Sequence, residues 1–162
     1  MLMSTDRIEK EIVLRAPRSQ VWRALTKAEE FGEWFGARLQ GAFTPGARVS
    51  GRITIKGYDH LTMEIVIDRV EPEHLFSYRW HPYAVDPAVD YSHEPMTLVE
   101  FQLHEVPDGT RLTVVESGFD RIPADRRATA FRMNEGGWTA QMKNIERYVG
   151  ERAGSFHEGK AR

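Results

Sequence analysis

Residues 111–149 read RLTVVESGFDRIPADRRATAFRMNEGGWTAQMKNIERYV. The stretch changes period partway along, and that change decides the fold. Up to Glu116 it alternates: Leu112, Val114 and Glu116 share one face, opposite Arg111, Thr113 and Val115. A repeat of two is the mark of a strand. From Pro123 the repeat becomes helical. Phe131, Asn134, Trp138, Gln141, Met142, Ile145, Tyr148 and Val149 fall on one stripe. Pro123 suits the first helical position, where its missing N–H costs nothing. A helix of about 28 residues runs roughly 42 Å, long for a globular protein, so its first turns are candidates for a separate piece.

Upstream, the period of two recurs. Ile8, Ile12 and Leu14 alternate with Glu9 and Glu11 within 7–15. Val49, Gly51, Ile53 and Ile55 share a face, as do Leu61, Met63, Ile65 and Ile67. Phe76, Tyr78 and Trp80 follow, then Thr97, Val99, Phe101 and Leu103. Turn chemistry separates these runs: Thr44-Pro45-Gly46-Ala47 with Pro and Gly in type II positions, Lys56-Gly57-Tyr58-Asp59, Glu71-Pro72-Glu73 and Pro107-Asp108-Gly109. Residues 81–95 carry three prolines and no period, which predicts a long loop. Between the first strand and the sheet, Pro17 opens a short helix with Val21, Trp22 and Leu25. Thr26-Lys27-Ala28-Glu29 has the form of a capping box for a second helix, which carries Phe31, Trp34 and Phe35 and stops near Gly36.

The chain of 162 residues fits one domain. Its 41% hydrophobic and 28% charged residues exclude a disordered chain and a membrane span. A net charge of −2 from 22 basic and 24 acidic residues gives no drive toward nucleic acid. With no cysteine there is no thiolate chemistry and no Cys-based zinc site. The opening Met-Leu-Met-Ser-Thr-Asp-Arg has no apolar run, so no signal peptide and a cytoplasmic location are expected.

Ala16-Pro17, Val21-Trp22-Arg23-Ala24-Leu25-Thr26 and Trp34-Phe35 resemble the opening of the START-like (SRPBCC) superfamily. Phe76-Ser77-Tyr78-Arg79-Trp80-His81-Pro82, Glu116-Ser117-Gly118-Phe119-Asp120 and Asn134-Glu135-Gly136-Gly137-Trp138 narrow the resemblance. They look like the bacterial branch related to the C-terminal domain of the activator of Hsp90 ATPase. The resemblance spans roughly residues 7–150. It implies an α+β helix-grip fold: a curved antiparallel sheet of six to seven strands around a long C-terminal helix, with two short N-terminal helices. One domain over 1–152 and a frayed tail over 153–162 are expected.

A sheet wrapped around a helix leaves space for a pocket. The rings of Trp34, Phe35, Tyr78, Trp80, Phe101, Phe119, Phe131 and Trp138 converge there, either as ordinary core or as the walls of a site for a flat apolar ligand. Glu116 faces the same side. It lines the cavity as an acceptor or general base, or it pairs locally at the strand's wet end. Asn134 sits one turn from Trp138, and His81 flanks the loop. Gly136 and Gly137 each cost about 1 kcal/mol in a helix relative to Ala, an expense that close packing on a sheet or a ligand would offset. His81, Asp86, Asp90, His93 and Glu94 lack rigid metal spacing, so no metal and no cofactor are expected. Nucleotide and hydrolase motifs are absent.

The favoured reading is binding of a small hydrophobic or aromatic molecule between sheet and helix, through Trp34, Phe35, Tyr78, Trp80, His81, Phe101, Glu116, Phe119, Phe131, Asn134 and Trp138. The resemblance also leaves open an enzyme of the polyketide cyclase type and a co-chaperone-like interaction domain. Neither nucleic acid nor membrane is expected as a partner, and a homodimer is left open.

Overall fold

The computed structural model describes the backbone from Asp6 to Ala161 and the side chains as far as Arg152. The tail expected over 153–162 therefore lies outside the residues described in full. The elements run β1 (Arg7–Leu14), α1 (Arg18–Thr26), α2 (Ala28–Phe35), β2 (Ala37–Gln40), β3 (Arg48–Ile53), β4 (Thr62–Glu71), β5 (Leu75–Trp80), β6 (Thr97–Val106), β7 (Gly109–Ser117) and α3 (Ala124–Ala161). A single 3₁₀ turn, Phe119–Arg121, links β7 to α3. The helix itself is continuous from Ala124, so its first turns are not a separate piece.

The strands form one seven-stranded antiparallel sheet in the order β1-β7-β6-β5-β4-β3-β2. The hairpins stack consecutive strands, and β1 closes the far edge on β7, with Ile8 opposite Glu116. This is the α+β helix-grip architecture. The alternations place one face of each strand inward. Phe76, Tyr78, Val99, Phe101, Leu103, Leu112 and Val114 are all buried against the helices.

One strand is absent from the sequence reading. β2 is only four residues long, too short to display an alternation. It begins where α2 ends, at Gly36, whose φ of 99° is the left-handed conformation that stops the helix. Gly51 of β3 lies under it: a Cβ there would sit 1.8 Å from the Arg38 carbonyl oxygen. The capping box also fails. Thr26 Oγ1 donates back to the Trp22 carbonyl at 2.7 Å, and Lys27 takes the cap position of α2 without a side-chain bond. A hydroxyl that can satisfy the end of its own helix is not free to start the next.

The two halves of α3 are anchored differently. Trp138, Met142, Ile145, Tyr148 and Val149 are buried, whereas between Ala124 and Gly137 only Ala130 is. The N-terminal half is tied to the 81–96 loop by polar bonds. The Arg126 guanidinium donates to both Glu94 oxygens, the nearest at 2.7 Å, and to the Tyr83 carbonyl at 3.0 Å. It also lies 4.8 Å from the Tyr91 ring centroid. Charge-assisted bidentate bonds of this kind fix geometry as well as add energy.

Candidate functional site

Sheet register sets the site. Glu116 on β7 stands opposite Val99 on β6, which stands opposite Tyr78 on β5, so the three side chains form an inward row. Thr97 pairs with Trp80 one step along the same strands, diagonal to Glu116. From α3, Asn134 and Trp138 reach down, four residues apart and therefore on one helix face.

These residues meet at a single carboxylate. Glu116 is 0% exposed. Its Oε2 accepts from Trp80 Nε1 at 2.7 Å, Thr97 Oγ1 at 2.6 Å and Asn134 Nδ2 at 3.1 Å. Its Oε1 accepts from Trp138 Nε1 at 2.8 Å and Asn134 Nδ2 at 2.9 Å. Every donor is neutral. Among the described residues no Lys, Arg or His pairs with it. Burial pushes the Glu116 pKa up from the ordinary value, and the bonds from Thr97, Trp80, Trp138 and Asn134 oppose that rise. An indole N–H can only donate, so this shell is built for the ionised form. The Tyr78 hydroxyl, also fully buried, has no hydrogen-bond partner among the described residues. Its pKa lies well above the usual phenol range, through burial first and the charge of Glu116 second.

Above this node a small pocket of about 80 Å³ opens, lined by Phe35, Trp80, Asn134, Gly137, Trp138 and Gln141. Gln141 Nε2 donates to the Phe35 carbonyl at 2.8 Å and ties α3 to the end of α2. Three rings surround the pocket as a tripod. Phe35 lies 6.0 Å from both Trp80 and Trp138, and the two indoles are 5.8 Å apart, centroid to centroid. A Cβ placed on Gly136 or Gly137 would meet nothing within 4 Å among the described residues. Close packing within the chain therefore does not account for either glycine.

Away from this pocket, packed rings occupy the space between sheet and helices. Phe101 stacks on Phe76 and sets its edge to Trp138. Trp34 donates its N–H to the Ala24 carbonyl at 2.8 Å inside the core. Phe119 and Phe131 pack edge to face at 5.2 Å, apart from the pocket lining. His81 sits beside the loop with Nε2 3.0 Å from the Glu94 carbonyl oxygen. The structure thus gathers Phe35, Trp80, Glu116, Asn134 and Trp138 at one place, and puts Trp34, Tyr78, Phe101, Phe119, Phe131 and His81 in the surrounding core and loop. Thr97, Gly137 and Gln141 belong to the site as well. Thr97 had a signal, a hydroxyl at an inward strand position that needs a partner. Among the described residues no three His, Asp or Glu side chains are grouped to hold a metal ion. No helix among them is long and apolar enough to cross a membrane.

Comparison with known proteins gives concordant results. No curated protein matches the sequence. Among solved structures, protein MLL2253 from Mesorhizobium loti superposes with a TM-score of 0.71 at 25% identity, over 90% of this chain and 97% of that one. DynU16, described as a protein in the dynemicin biosynthetic locus, aligns with a TM-score of 0.67 at 26% identity. That match covers 89% of this chain but only 47% of DynU16, so this chain spans about half its length. The Aha1 dimer from Colwellia psychrerythraea shares the fold, with a TM-score of 0.64 at 15% identity over 88% of this chain and 95% of that one. The family model for activator of Hsp90 ATPase homolog 1-like proteins matches residues 15–150. That match covers most of the chain and accords with the grip of the sheet on α3: the chain belongs to the activator of Hsp90 ATPase homolog 1-like family.

Proposed function

We propose that this protein binds a small molecule with a compact apolar portion in the pocket between α2, β5 and α3. The observation that carries the reading is Gly137. A glycine inside a helix costs about 1 kcal/mol relative to Ala, and among the described residues nothing packs into the space it leaves. Gly137, at the exposed rim, lines the pocket together with Phe35, Trp80 and Trp138. Pockets for drug-sized ligands hold roughly 300–1,000 Å³. The volume here suits a headgroup or a small ring, with the remainder of a larger ligand outside. Binding is favoured over catalysis because Glu116, the one buried carboxylate among the described residues, already has both oxygens occupied by donors. A general base needs a free acceptor site facing the proton it takes.

The test is a thermal-shift screen of compact apolar and aromatic fragments against the wild type and Gly137→Leu, with native mass spectrometry of hits. Leu at 137 meets no atom at its Cβ, so the variant is expected to fold. Fragments that stabilise the wild type are expected to lose that effect in the variant. Hits that bind both proteins equally place their site elsewhere and overturn the reading.

A further inference from the structure

We infer that the occupant of this pocket carries an alkylated ammonium group, seated over the Phe35–Trp80–Trp138 tripod with Glu116 as its buried counter-charge. The inference rests on the pocket reading above and adds the chemical class of the ligand.

Three observations converge. Buried charges in proteins are as a rule paired with an opposite charge or a metal. Glu116 breaks that rule: it is fully buried, and its four partners, Trp80, Thr97, Asn134 and Trp138, are all neutral. Three of those four also line the pocket, so the carboxylate lies one side chain behind its wall. The charge is thus unbalanced among the described residues and adjacent to an opening.

The second observation is the wall itself. The three rings form a triangle with sides of 5.8 to 6.0 Å. A group resting over that triangle lies within about 6 Å of every centroid, the reach of a cation–π contact. Among the described residues no lysine or arginine lines the pocket to occupy that place.

The third observation selects among cations. Both oxygens of Glu116 are taken, and both indole N–H groups are spent on it. Asn134, a lining residue, uses its amide nitrogen on Glu116, so its Oδ1 is the group it has left to accept with. Gln141 uses its nitrogen on the Phe35 carbonyl and its oxygen on Asn144. A primary ammonium brings three donors and finds too few acceptors to replace its water. A trimethylammonium group brings none. It needs only a negative potential and ring surfaces, and the pocket offers those.

The experiment uses the full chain with two probes of the same shape, choline and its neutral carbon analogue 3,3-dimethyl-1-butanol, at matched ionic strength. Binding is followed by calorimetry and by the fluorescence of Trp80 and Trp138. Choline is expected to bind at least tenfold more tightly than the alcohol. Glu116→Gln is expected to remove the preference, bringing choline down to the level of the alcohol measured on the same variant. Should Glu116→Gln not fold, the two probes on the wild type decide alone. If the alcohol binds as well as choline, the pocket is merely apolar; the cation inference falls and the pocket reading stands. If neither probe binds while other fragments are lost in Gly137→Leu, the outcome is the same. If no fragment of any kind distinguishes Gly137→Leu, both fall.

Discussion

Between Trp138 and Val149, α3 buries five apolar side chains at helical spacing; between Ala124 and Gly137 it buries only Ala130. The C-terminal half is held by packing, which is dense and non-directional. The N-terminal half is held by directed bonds, Arg126 to the 81–96 loop and Asn134 to Glu116, and by the one ring contact of Phe131 with Phe119. Regions with few buried apolar contacts open at lower free energy than the core. One helix therefore joins a rigid anchor to a more easily moved arm, and the pocket lies at the joint, where Gly137 meets Trp138.

The sharpest way to break that contrast is at the joint. Trp138→Ala is expected to destabilise by about 3–5 kcal/mol, the range for truncating a core aromatic. It removes a buried ring in contact with Phe35, Trp80 and Phe101, and one of the donors to Glu116. Denaturant unfolding measures it. A loss below about 1 kcal/mol would assign Trp138 to the mobile arm and erase the boundary.

Glu116 sharpens the contrast through pH. Its folded pKa is raised above the ordinary 4.5, because burial opposes the charge more than the four donors support it. The contribution to stability is fully present below that ordinary value and is lost as pH rises through the raised folded value. Glu116→Gln does not titrate, so subtracting its stability curve from that of the wild type isolates the effect. The wild type is expected to lose ground to the variant as pH climbs from below 4.5 toward neutrality. The variant carries its own cost, constant with pH. Its amide NH₂ must face the indole N–H of either Trp80 or Trp138, and one unpaired buried donor costs about 1–3 kcal/mol. A flat difference curve would mean that the folded carboxyl titrates as it does in the unfolded chain.

These two residues also show how far the sequence could be read. Alternation alone put Trp80 and Glu116 on the inward face and the helical stripe put Asn134 and Trp138 opposite, because both periods are local and dictated by backbone geometry. The seven-stranded grip follows from the same periods, except for β2, whose four residues are too few to carry one. What the periods do not encode is direction. That two indole N–H groups from β5 and α3 end on the same carboxylate depends on ring orientation fixed by tertiary packing. Glu116 was legible as an inward acid at the end of a strand. It stands neither at a wet rim nor bare in a cavity, because neighbours from three other elements close over it. The glycines at 136 and 137 were legible as an anomaly, but packing, their bland explanation, fails on the coordinates.

A smaller effect is expected at the arm's other tether. Arg126→Ala removes the bonds to Glu94 and Tyr83, with both charged side chains only 18% exposed. The global loss should be about 1–2 kcal/mol, below the full value of a buried charged hydrogen bond because water reaches the pair in part. The local effect should be larger. Limited proteolysis within residues 81–96 is expected to accelerate, while hydrogen exchange in 138–149 stays unchanged. Equal loosening of both halves would show that α3 responds as one unit.

The smallest change tests the joint from the opposite direction, by stabilising it. Gly136→Ala and Gly137→Ala each replace a helix-interior glycine by the best helix former, and neither added Cβ meets an atom within 4 Å. Each is expected to raise stability by about 1 kcal/mol, since the methyl reduces the freedom of the unfolded chain without a clash. The two gains should be alike in the absence of ligand, because the positions differ little as helix sites. They should part when the pocket is occupied: only Gly137 lines it, so only Gly137→Ala places its methyl against the bound molecule. Thermal unfolding of both variants with and without a bound fragment measures the difference. Equal ligand-induced shifts would move the opening away from Gly137. A gain at Gly136 with a loss at Gly137 even without ligand would mean that the space beside Trp138 is already in use by the protein itself.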